Sequence, residues 1–468
     1  MIHLFYSTCY PSPHLETELE IASDLISKGE KVYFLICNAQ LATCFVNTDH
    51  SQSICNVCKS KVKRGLDLIN IPAENRIHFS GINSRDIKIV QEFDSIQSLK
   101  QYQHKGADIG MAAASSIISA LRDHDFDVKL HQALINTHIK TGIYVYESMS
   151  ILLEKIKPDF VYLFNGRFIE SRPVMRLCEQ KGIPFFTHER GGNLKKYMLR
   201  KNQTPHSIKS AIQDINELWG NGDTNKVAAG ERFFHDRRKG IIHSWSSFTD
   251  KQKLDLLPPG FDSTKRNMAI FNSSMDEYEG ISDFSNTIYD NDNEAIAKVC
   301  EDFLHDQTIH FYLRIHPNLS GLKNTQMKQI ANLNYSNLTI IQPESPVDTY
   351  TLMNSVEKVI SFGSTMGIEA LYWGKPSILL GRSFYETSRG LFIPKNHEET
   401  ISFISSTLST TSSNEDAIKF GYWCGRFGTD FKSYSPSSVF SGKFNGVTLK
   451  SRIDKRLRLR LSKLFSKY

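Results

Sequence analysis

The chain has 468 residues, of which 40% are hydrophobic and 23% are charged. These proportions exclude fibrous and wholly disordered proteins, and the length predicts two or three domains. No run approaches the roughly 18 consecutive apolar residues of a membrane-spanning helix. The N-terminus also lacks the basic and apolar regions of a secretory signal, so we expect a cytoplasmic protein.

The net charge of +6 is concentrated at one end of the chain. The segment from Arg452 to Lys467 contains seven Lys or Arg residues and one acidic residue, so the rest of the chain is close to neutral. A nucleic-acid-binding protein would spread its basic residues over a face the size of a groove. We therefore expect no nucleic-acid partner.

The first half of the chain alternates short apolar runs with helical patterns, which is typical of βα units and a parallel sheet. The predicted strands are Ile2–Ser7, Lys31–Cys37, Arg76–Ser80, Asp159–Phe164 and Pro184–Thr187. A crossover helix is predicted over His14–Gly29, where Gly29 would be the C-cap. The stretch from about 97 to 156 is mostly helical and longer than a crossover, so we expect an insertion there.

A second series of strands follows the breaker Pro258-Pro259-Gly260. Its predicted strands are Asn267–Phe271, Ile309–Ile315, Leu338–Ile341, Lys358–Ser361 and Ser377–Leu380. We therefore predict an α/β protein with two Rossmann-type, doubly wound domains that face a cleft, at residues 1–257 and 258–440, with a tail at 441–468. Ligands of such sheets bind outside the carboxyl ends of the strands.

The strongest local motif is the turn Gly363-Ser-Thr-Met-Gly367, which follows a predicted strand and begins a helix. Its backbone N–H groups at a positive helix N-terminus, with the hydroxyls of Ser364 and Thr365, suit a phosphate. Glu369, in the first turns of that helix, could bind a ribose. The alternative is an ordinary helix cap, because such turns are common in α/β proteins.

Two further polar clusters come at the ends of neighbouring predicted strands. Arg314 and His316 lie at the carboxyl end of one strand, and Ser273 and Ser274 follow another. Taken singly, a histidine such as His316 is more often structural, and the acidic pair Asp276 and Glu277, which follows the two serines, is more often a solvated cap. Clusters at successive strand ends nevertheless favour a shared ligand site.

The N-terminal half has a comparable group of polar residues at strand ends. They could share a cleft and are Asn165, Arg167, His188, Glu189 and Arg190. The helix that follows the first strand begins with His14, Glu16 and Glu18. Such residues can take a proton from a sugar hydroxyl, but the more ordinary explanation for the two carboxylates is stabilisation of the helix dipole.

Seven segments in this order resemble bacterial capsule and surface-polysaccharide biosynthesis proteins, whose members include glycosyltransferases of the two-Rossmann GT-B fold. The segments start with His14-Leu-Glu-Thr-Glu18, Phe164-Asn-Gly-Arg167 and His188-Glu-Arg-Gly191. They continue with Asn272–Glu277, Arg314-Ile-His-Pro317, Asp348-Thr-Tyr350 and Ser361–Ala370. The resemblance covers roughly residues 1–390.

The resemblance implies transfer of a sugar from a nucleotide-sugar donor to a surface polysaccharide, with the donor in the C-terminal domain and a lipid-linked or polysaccharide acceptor in the N-terminal domain. Ser364, Thr365, Gly367 and His316 would hold the donor phosphate with help from Arg314, and Ser273 and Ser274 would belong to the same donor-binding site. Glu18, or failing that His14 or Glu16, would be the catalytic base. The His316-Pro317 pair resembles the His-Pro motif of enzymes that use CMP-activated sugars. No catalytic metal is expected, because helix N-termini and basic side chains stabilise the leaving phosphate in GT-B enzymes.

Two alternatives to a glycosyltransferase stay open at this point. The chain could be a non-catalytic assembly or export factor that binds glycan without turnover. It could also be a GT-B-fold epimerase that acts on a nucleotide sugar. An intact phosphate-binding turn favours an enzyme but does not separate transfer from epimerisation.

Four cysteines fall within 22 residues and depart from the plain GT-B pattern: Cys37, Cys44, Cys55 and Cys58. Four thiolates in a tetrahedral array would suit a structural zinc ion, and less readily an iron–sulfur cluster. Free thiols are the open alternative, because only one Cys-x2-Cys pair is present.

The basic tail has the pattern of an amphipathic helix. On a helical wheel its apolar residues, Leu459 excepted, form one stripe, and the seven cations lie outside it. This is typical of a helix in an anionic membrane interface, so we expect peripheral attachment to the inner membrane. The alternative is a terminal helix that packs on the protein.

Overall fold

A computed structural model describes residues 1–8, 10–82, 87–89, 91–241, 249, 251–410 and 414–449. The chain divides into two compact units. Unit 1 contains residues 1–121, 125–205 and the described residues from 428 onward, and unit 2 contains residues 122–124 and 206–427.

The first unit is built from βα units followed by an antiparallel strand. Its strands up to residue 205 are β1 (Ile2–Ser7), β2 (Lys31–Ile36), β3 (Arg76–Ile77), β4 (Phe160–Phe164), β5 (Phe185–Arg190) and β6 (Lys196–Lys201). Its helices are α1 (His14–Ser27), α2 (Gln52–Leu68), α3 (Ile96–Lys100), α4 (Ile109–Leu121), α5 (Gln132–Ile156) and α6 (Arg172–Lys181).

The sheet of unit 1 has β1 near its centre, with β2 and β3 on one side and β4, β5 and β6 on the other. Neighbouring strands in the order β3-β2-β1-β4-β5 pair in parallel, and β6 pairs antiparallel with β5. Burial on both faces explains why these parallel strands are almost continuously apolar in sequence. The predicted helical insertion is present as α3, α4 and α5, which pack into the same hydrophobic core.

The second unit begins with two helices and continues as regular βα units. Its strands are β7 (Arg266–Phe271), β8 (Ile309–Arg314), β9 (Leu338–Ile341), β10 (Lys358–Ser361), β11 (Ser377–Leu379) and β12 (Leu391–Phe392). Its helices are α7 (Ile208–Gly220), α8 (Lys226–Arg238), α9 (Met275–Tyr278), α10 (Asp292–Asp302), α11 (Thr325–Ala331), α12 (Thr349–Ser355), α13 (Met366–Tyr372), α14 (His397–Ser405) and α15 (Glu415–Arg426).

The sheet of unit 2 has the order β12-β11-β10-β7-β8-β9, and all its pairings are parallel. Both units are therefore doubly wound α/β folds, as the alternation of strands and helices predicted. The main core of unit 2 contains inward-facing residues of its central strands, for example Ile270, Leu313 and Ile360.

The division into units differs from the predicted boundary at 257/258. Helices α7 and α8 belong to unit 2, because α8 packs closely on α15. At this crossing a Cβ atom on Gly230 would lie 2.3 Å from the carbonyl oxygen of Ile418, so a glycine is needed there. The Pro258-Pro259-Gly260 turn therefore lies inside unit 2 and is not a domain hinge.

The end of the chain returns to unit 1, whereas the prediction assigned residues up to 440 to the second domain and the rest to a tail. Strand β13 (Thr429–Asp430) pairs antiparallel with β6, and β14 (Tyr434–Ser438) forms a hairpin with β15 (Ser441–Phe444). Phe444 is fully buried, so the start of the predicted tail is part of the folded unit. The basic segment Arg452–Lys467 lies outside the described residues.

No helix in the described ranges combines the length and apolar character that crossing a membrane requires.

Candidate functional site

The topology of unit 2 marks one place for a ligand. From β7 the chain runs to β8 and β9 on one side, and it then continues through β10 to β12 on the other side. In open α/β sheets ligands bind at the carboxyl ends of the two strands where the order reverses. These strands are β7 and β10, so the segments Asn272–Ser274 and Phe362–Thr365 border the crevice.

The turn after β10 has the shape that the sequence predicted. Gly363 has φ +92°, and Gly367 leaves no room for a side chain, since a Cβ atom there would lie 2.3 Å from the Ser361 hydroxyl. The hydroxyl of Tyr385 donates to the carbonyl oxygen of Ser364 and holds the turn in place. The side chain of Ser364 is half-buried at the edge of the crevice.

The next two predicted residues, Thr365 and Glu369, belong to a network around an arginine. Arg237, in the last turn of α8, donates from Nη2 to the Thr365 hydroxyl at 3.0 Å and from Nε to Glu369 Oε1 at 2.9 Å. The Tyr350 hydroxyl donates to the other Glu369 oxygen at 2.5 Å. Glu369 is fully buried, and a side chain that solvent cannot reach is not placed to contact a ribose, so the structure does not favour the predicted ribose contact.

Sequence reasoning missed Arg237. Its only local signal is a cluster of basic residues, including His235 and Arg238, in the last turn of a helix. That pattern is also the ordinary one for a helix C-terminus, where cations meet the negative end of the dipole.

His316 lies just beyond β8, the neighbour of β7, and is half-buried. Its Nδ1 accepts from the backbone N–H of Asn318 at 3.2 Å, which assigns the ring proton to Nε2 in the neutral form. Burial, together with the charges of Arg122 and Arg237, lowers the pKa of His316 to about 4. The ring is therefore neutral at physiological pH and can donate a hydrogen bond from Nε2.

The other predicted donor residues are engaged inside the protein. Arg314 donates to the carbonyl oxygens of Gln342 and Ser345 at 3.1 and 3.0 Å and is 4% exposed. The hydroxyl of Ser273 donates to Asp292 at 2.6 Å. The hydroxyl of Ser274 donates to Asp276 at 2.6 Å, and both serines are buried. These three side chains shape the loops of the site, and their internal hydrogen bonds do not favour the direct contact with the donor that was predicted for them.

The switch point of unit 1 lies between β1 and β4, because the chain runs from β1 to β2 and β3 and then returns to β4 on the other side. The end of β4 carries the predicted turn, in which Asn165 has φ +59° and Gly166 has φ +88°. A left-handed conformation at a non-glycine residue is strained, and such residues cluster at functional sites.

The predicted base Glu18 is fully buried on α1, and its Oε1 lies 3.2 Å from Nε2 of His188, which is equally buried. Burial raises the pKa of Glu18, and the hydrogen bond to His188 opposes that rise. A general base must reach the hydroxyl that it deprotonates. The burial of Glu18 therefore does not favour the role predicted for it.

The two alternative bases are also buried. Glu16 pairs with Lys61 at 2.8 Å and accepts from the hydroxyl of Ser12 at 2.8 Å. His14 lies 3.7 Å from Glu189, and burial, followed by the charge of Arg190, lowers its pKa well below the usual range for histidine. A histidine with so low a pKa is a weak base.

Strand β5 is longer than predicted, so His188, Glu189 and Arg190 lie within it instead of after it. The cause is β6, which pairs with the last residues of β5 and was not predicted. Asn165 at the end of β4 donates from Nδ2 to Glu189 Oε2 at 2.9 Å, so these two predicted residues do meet. Arg190 donates to the carbonyl oxygens of Ser12 and Val439, both at 3.3 Å.

The four clustered cysteines line one pocket at the carboxyl ends of β1 and β2. In the part of the chain that the structure describes, no group of three or more His, Cys, Asp or Glu side chains is arranged to hold a metal ion. Burial raises the pKa of Cys37, Cys44 and Cys58, which favours neutral thiols. Zinc binding therefore stays a prediction, which elemental analysis of the purified protein would decide.

Comparison with known proteins gives one family match. Residues 281–399 match the family described as "Capsule polysaccharide biosynthesis protein". The segment contains His316 and the Ser364 turn, and over this range the match confirms the resemblance seen in the sequence. No protein of curated function matches the chain.

Three solved structures illustrate the structural similarities. The chain is 15% identical to the beta Kdo 2,4 transferase KpsC of Thermosulfurimonas dismutans, with 55% of this chain and 78% of that one covered and a TM-score of 0.36. It is 10% identical to the protein of the S. aureus MnaA–UDP structure, with 99% of this chain and 97% of that one covered and a TM-score of 0.29. It is 13% identical to the UDP-GlcNAc 2-epimerase of Neisseria meningitidis bound to UDP-GlcNAc, with 90% of this chain and 97% of that one covered and a TM-score of 0.27.

Proposed function

We propose that this chain is a glycosyltransferase that moves a sugar from a nucleotide-sugar donor to a growing capsule or other surface polysaccharide. The observation that carries the proposal is the capsule-biosynthesis match over residues 281–399, because this segment supplies both His316 and the Ser364 turn at the carboxyl edge of the sheet of unit 2. Unit 2 would bind the donor, and unit 1 would bind the acceptor.

The donor phosphate would lie against the Ser364–Thr365 turn and the Nε2–H of His316. Arg237 would act indirectly, since it holds the Thr365 hydroxyl and balances the buried Glu369. The imidazole N–H of His316 and the backbone N–H groups of the turn would donate hydrogen bonds to the phosphate oxygens, so the proposed site would need no metal ion. The His316-Pro317 pair favours a CMP-activated sugar, and the reaction would be metal-independent.

In the proposed reaction an acceptor hydroxyl loses its proton to a base and attacks the anomeric carbon of the donor. The bond from that carbon to the phosphate oxygen breaks, and the electron pair leaves on the nucleotide. Hydrogen-bond donors near the phosphate would stabilise this charge. An acceptor linked to a lipid of the inner leaflet would place the enzyme at the membrane, where the basic segment Arg452–Lys467 would attach it peripherally on the cytoplasmic side.

Nucleotide binding to the purified chain tests the donor site. Titrations with CMP, UDP and GDP should show binding of one nucleotide, and His316→Ala or Ser364→Trp should weaken it by about 1–3 kcal/mol through lost hydrogen bonds or a filled crevice. His397→Ala is the matched control, because His397 is a histidine of unit 2 that pairs with Asp302 and not with the site. Equal affinity in the parent and both site variants would refute the assigned donor site.

A further inference from the structure

Of the acidic side chains at the candidate acceptor site of unit 1, Glu189 is by far the most exposed. Its side chain is 18% exposed, against 2% for Glu16 and 0% for Glu18. Glu16 is held by Lys61, and Glu18 is held by His188. The carboxylate that a ligand can reach is therefore Glu189.

Neighbouring groups orient the Glu189 carboxylate. Asn165 donates to Oε2 at 2.9 Å, and the backbone N–H of Arg190 donates to Oε1 at 3.0 Å. Nε2 of His14 lies 3.7 Å from Oε1. Donors on both oxygens keep the carboxylate fixed, and Asn165 itself is held in the left-handed turn at the end of β4, with φ +59°.

Arg167, two residues beyond Asn165, provides a second sign of a ligand. Its side chain stacks on the ring of Phe168 and the residue is only 6% exposed, yet Nε and Nη1 have no hydrogen-bond partner among the described residues. Nδ1 of His14 and one oxygen each of Glu16 and Glu18 are likewise buried without a partner in the described part of the chain. Buried polar groups without partners are rare in proteins, so such a cluster indicates a site completed by water or a ligand.

We infer that Glu189 is the general base of the reaction, positioned by Asn165, and that Arg167 donates hydrogen bonds to oxygens of the acceptor sugar. This rests on the proposed function. The hydroxyl O–H bond of the acceptor breaks as its oxygen forms the bond to the anomeric carbon. The proton passes to Glu189 and then to water, and the nucleotide leaves with the electron pair of the broken bond.

The test compares two isosteric variants in a transfer assay. The acceptor probe is a detergent extract of membranes from a strain that lacks this chain, and the donors are CMP-, UDP- and GDP-sugars. The rate of transfer is measured as the nucleotide released from the donor in the presence of the extract, minus the release without it. Glu189→Gln should lower this rate by about 100-fold or more, as loss of a general base does. Glu179→Gln, a change on the exposed face of α6, should leave it unchanged.

Two further measurements separate catalysis from structure. Glu189→Gln should bind donor nucleotide as the parent does and should melt within a few degrees of it, and its residual activity should lose the acidic limb of the pH profile. A folded Glu189→Gln variant with parental turnover would overturn the inference. So would failure of both Glu189→Gln and Glu189→Asp to fold, because the Glu189 side chain would then be needed for the fold.

The proposed function can fail separately. A parent that binds no nucleotide and releases none in the presence of the extract would refute the glycosyltransferase itself, and the role of Glu189 would fall with it. A parent that transfers sugar while Glu189→Gln does so equally well would refute only the role of Glu189.

Discussion

Removing Arg237 should destabilise unit 2 strongly, because it would leave Glu369 charged and fully buried with one partner fewer. Breaking a buried pair by removal of one partner costs about 3–5 kcal/mol. The Arg237 side chain is 30% exposed, which lowers the strength of the pair, so we expect Arg237→Met to cost about 2–4 kcal/mol.

The same helix provides a matched control. Arg232 pairs with Asp236 at 3.3 Å, but its side chain is 76% exposed. The Asp236 side chain is 8% exposed, but water screens the charge of so exposed an arginine, and a pair of this kind contributes about 0–1 kcal/mol. Arg232→Met should therefore change the free energy of unfolding by less than about 1 kcal/mol. The double variant Arg237→Met/Glu369→Gln should recover part of the loss, because the buried charge is removed with its partner.

Tryptophan fluorescence during urea unfolding is the appropriate assay. No tryptophan occurs in residues 1–205 or 428–468, so the emission does not report on unit 1, and Trp219, Trp373 and Trp423 lie in unit 2. This matters because a chain with two units need not unfold in one step. The reasoning is refuted if Arg237→Met costs no more than Arg232→Met, or if the double variant is as unstable as Arg237→Met.

Two other predictions concern pH and the end of the chain. Burial raises the pKa of Asp292 from 3.8 to about 6, so folded protein holds a proton between these values that unfolded protein has lost. The contribution of Asp292 to the free energy of unfolding should therefore fall by on the order of 2–3 kcal/mol as pH rises from about 4 to 7. In urea titrations at several pH values, Asp292→Asn should lack this part of the pH dependence of stability. An equal pH dependence in the variant and the parent would contradict the raised pKa of Asp292. Truncation after Leu449 removes the basic segment, so the protein should no longer sediment with anionic vesicles in a salt-sensitive way. The fold should be unaffected, because the truncated protein keeps the buried Leu449, which is 3% exposed. Continued sedimentation of the truncated protein would refute attachment through Arg452–Lys467.

Local sequence patterns were sufficient for much of the architecture. Strand β1 was predicted with its observed ends, and β7 to within one residue, because an apolar run bounded by turn residues is a property of neighbouring positions. The same holds for the Ser364 turn and for His316, which follow apolar strands directly. Strand β6 was missed, because the run Lys196–Lys201 is half polar and is a strand only through its pairing with β5.

The domain boundaries and the roles of the site residues could not be predicted from local sequence patterns, because they depend on contacts made in the folded chain. Local patterns were enough to predict polar clusters at the ends of successive strands, and parallel strands bring their carboxyl ends to one edge of a sheet. Which members of those clusters can meet a ligand was decided by tertiary structure. Glu18 and Glu369 are buried against His188 and Arg237, residues 170 and 132 positions away. Burial and pairing of this kind arise from contacts between distant parts of the chain, and no local pattern encodes them.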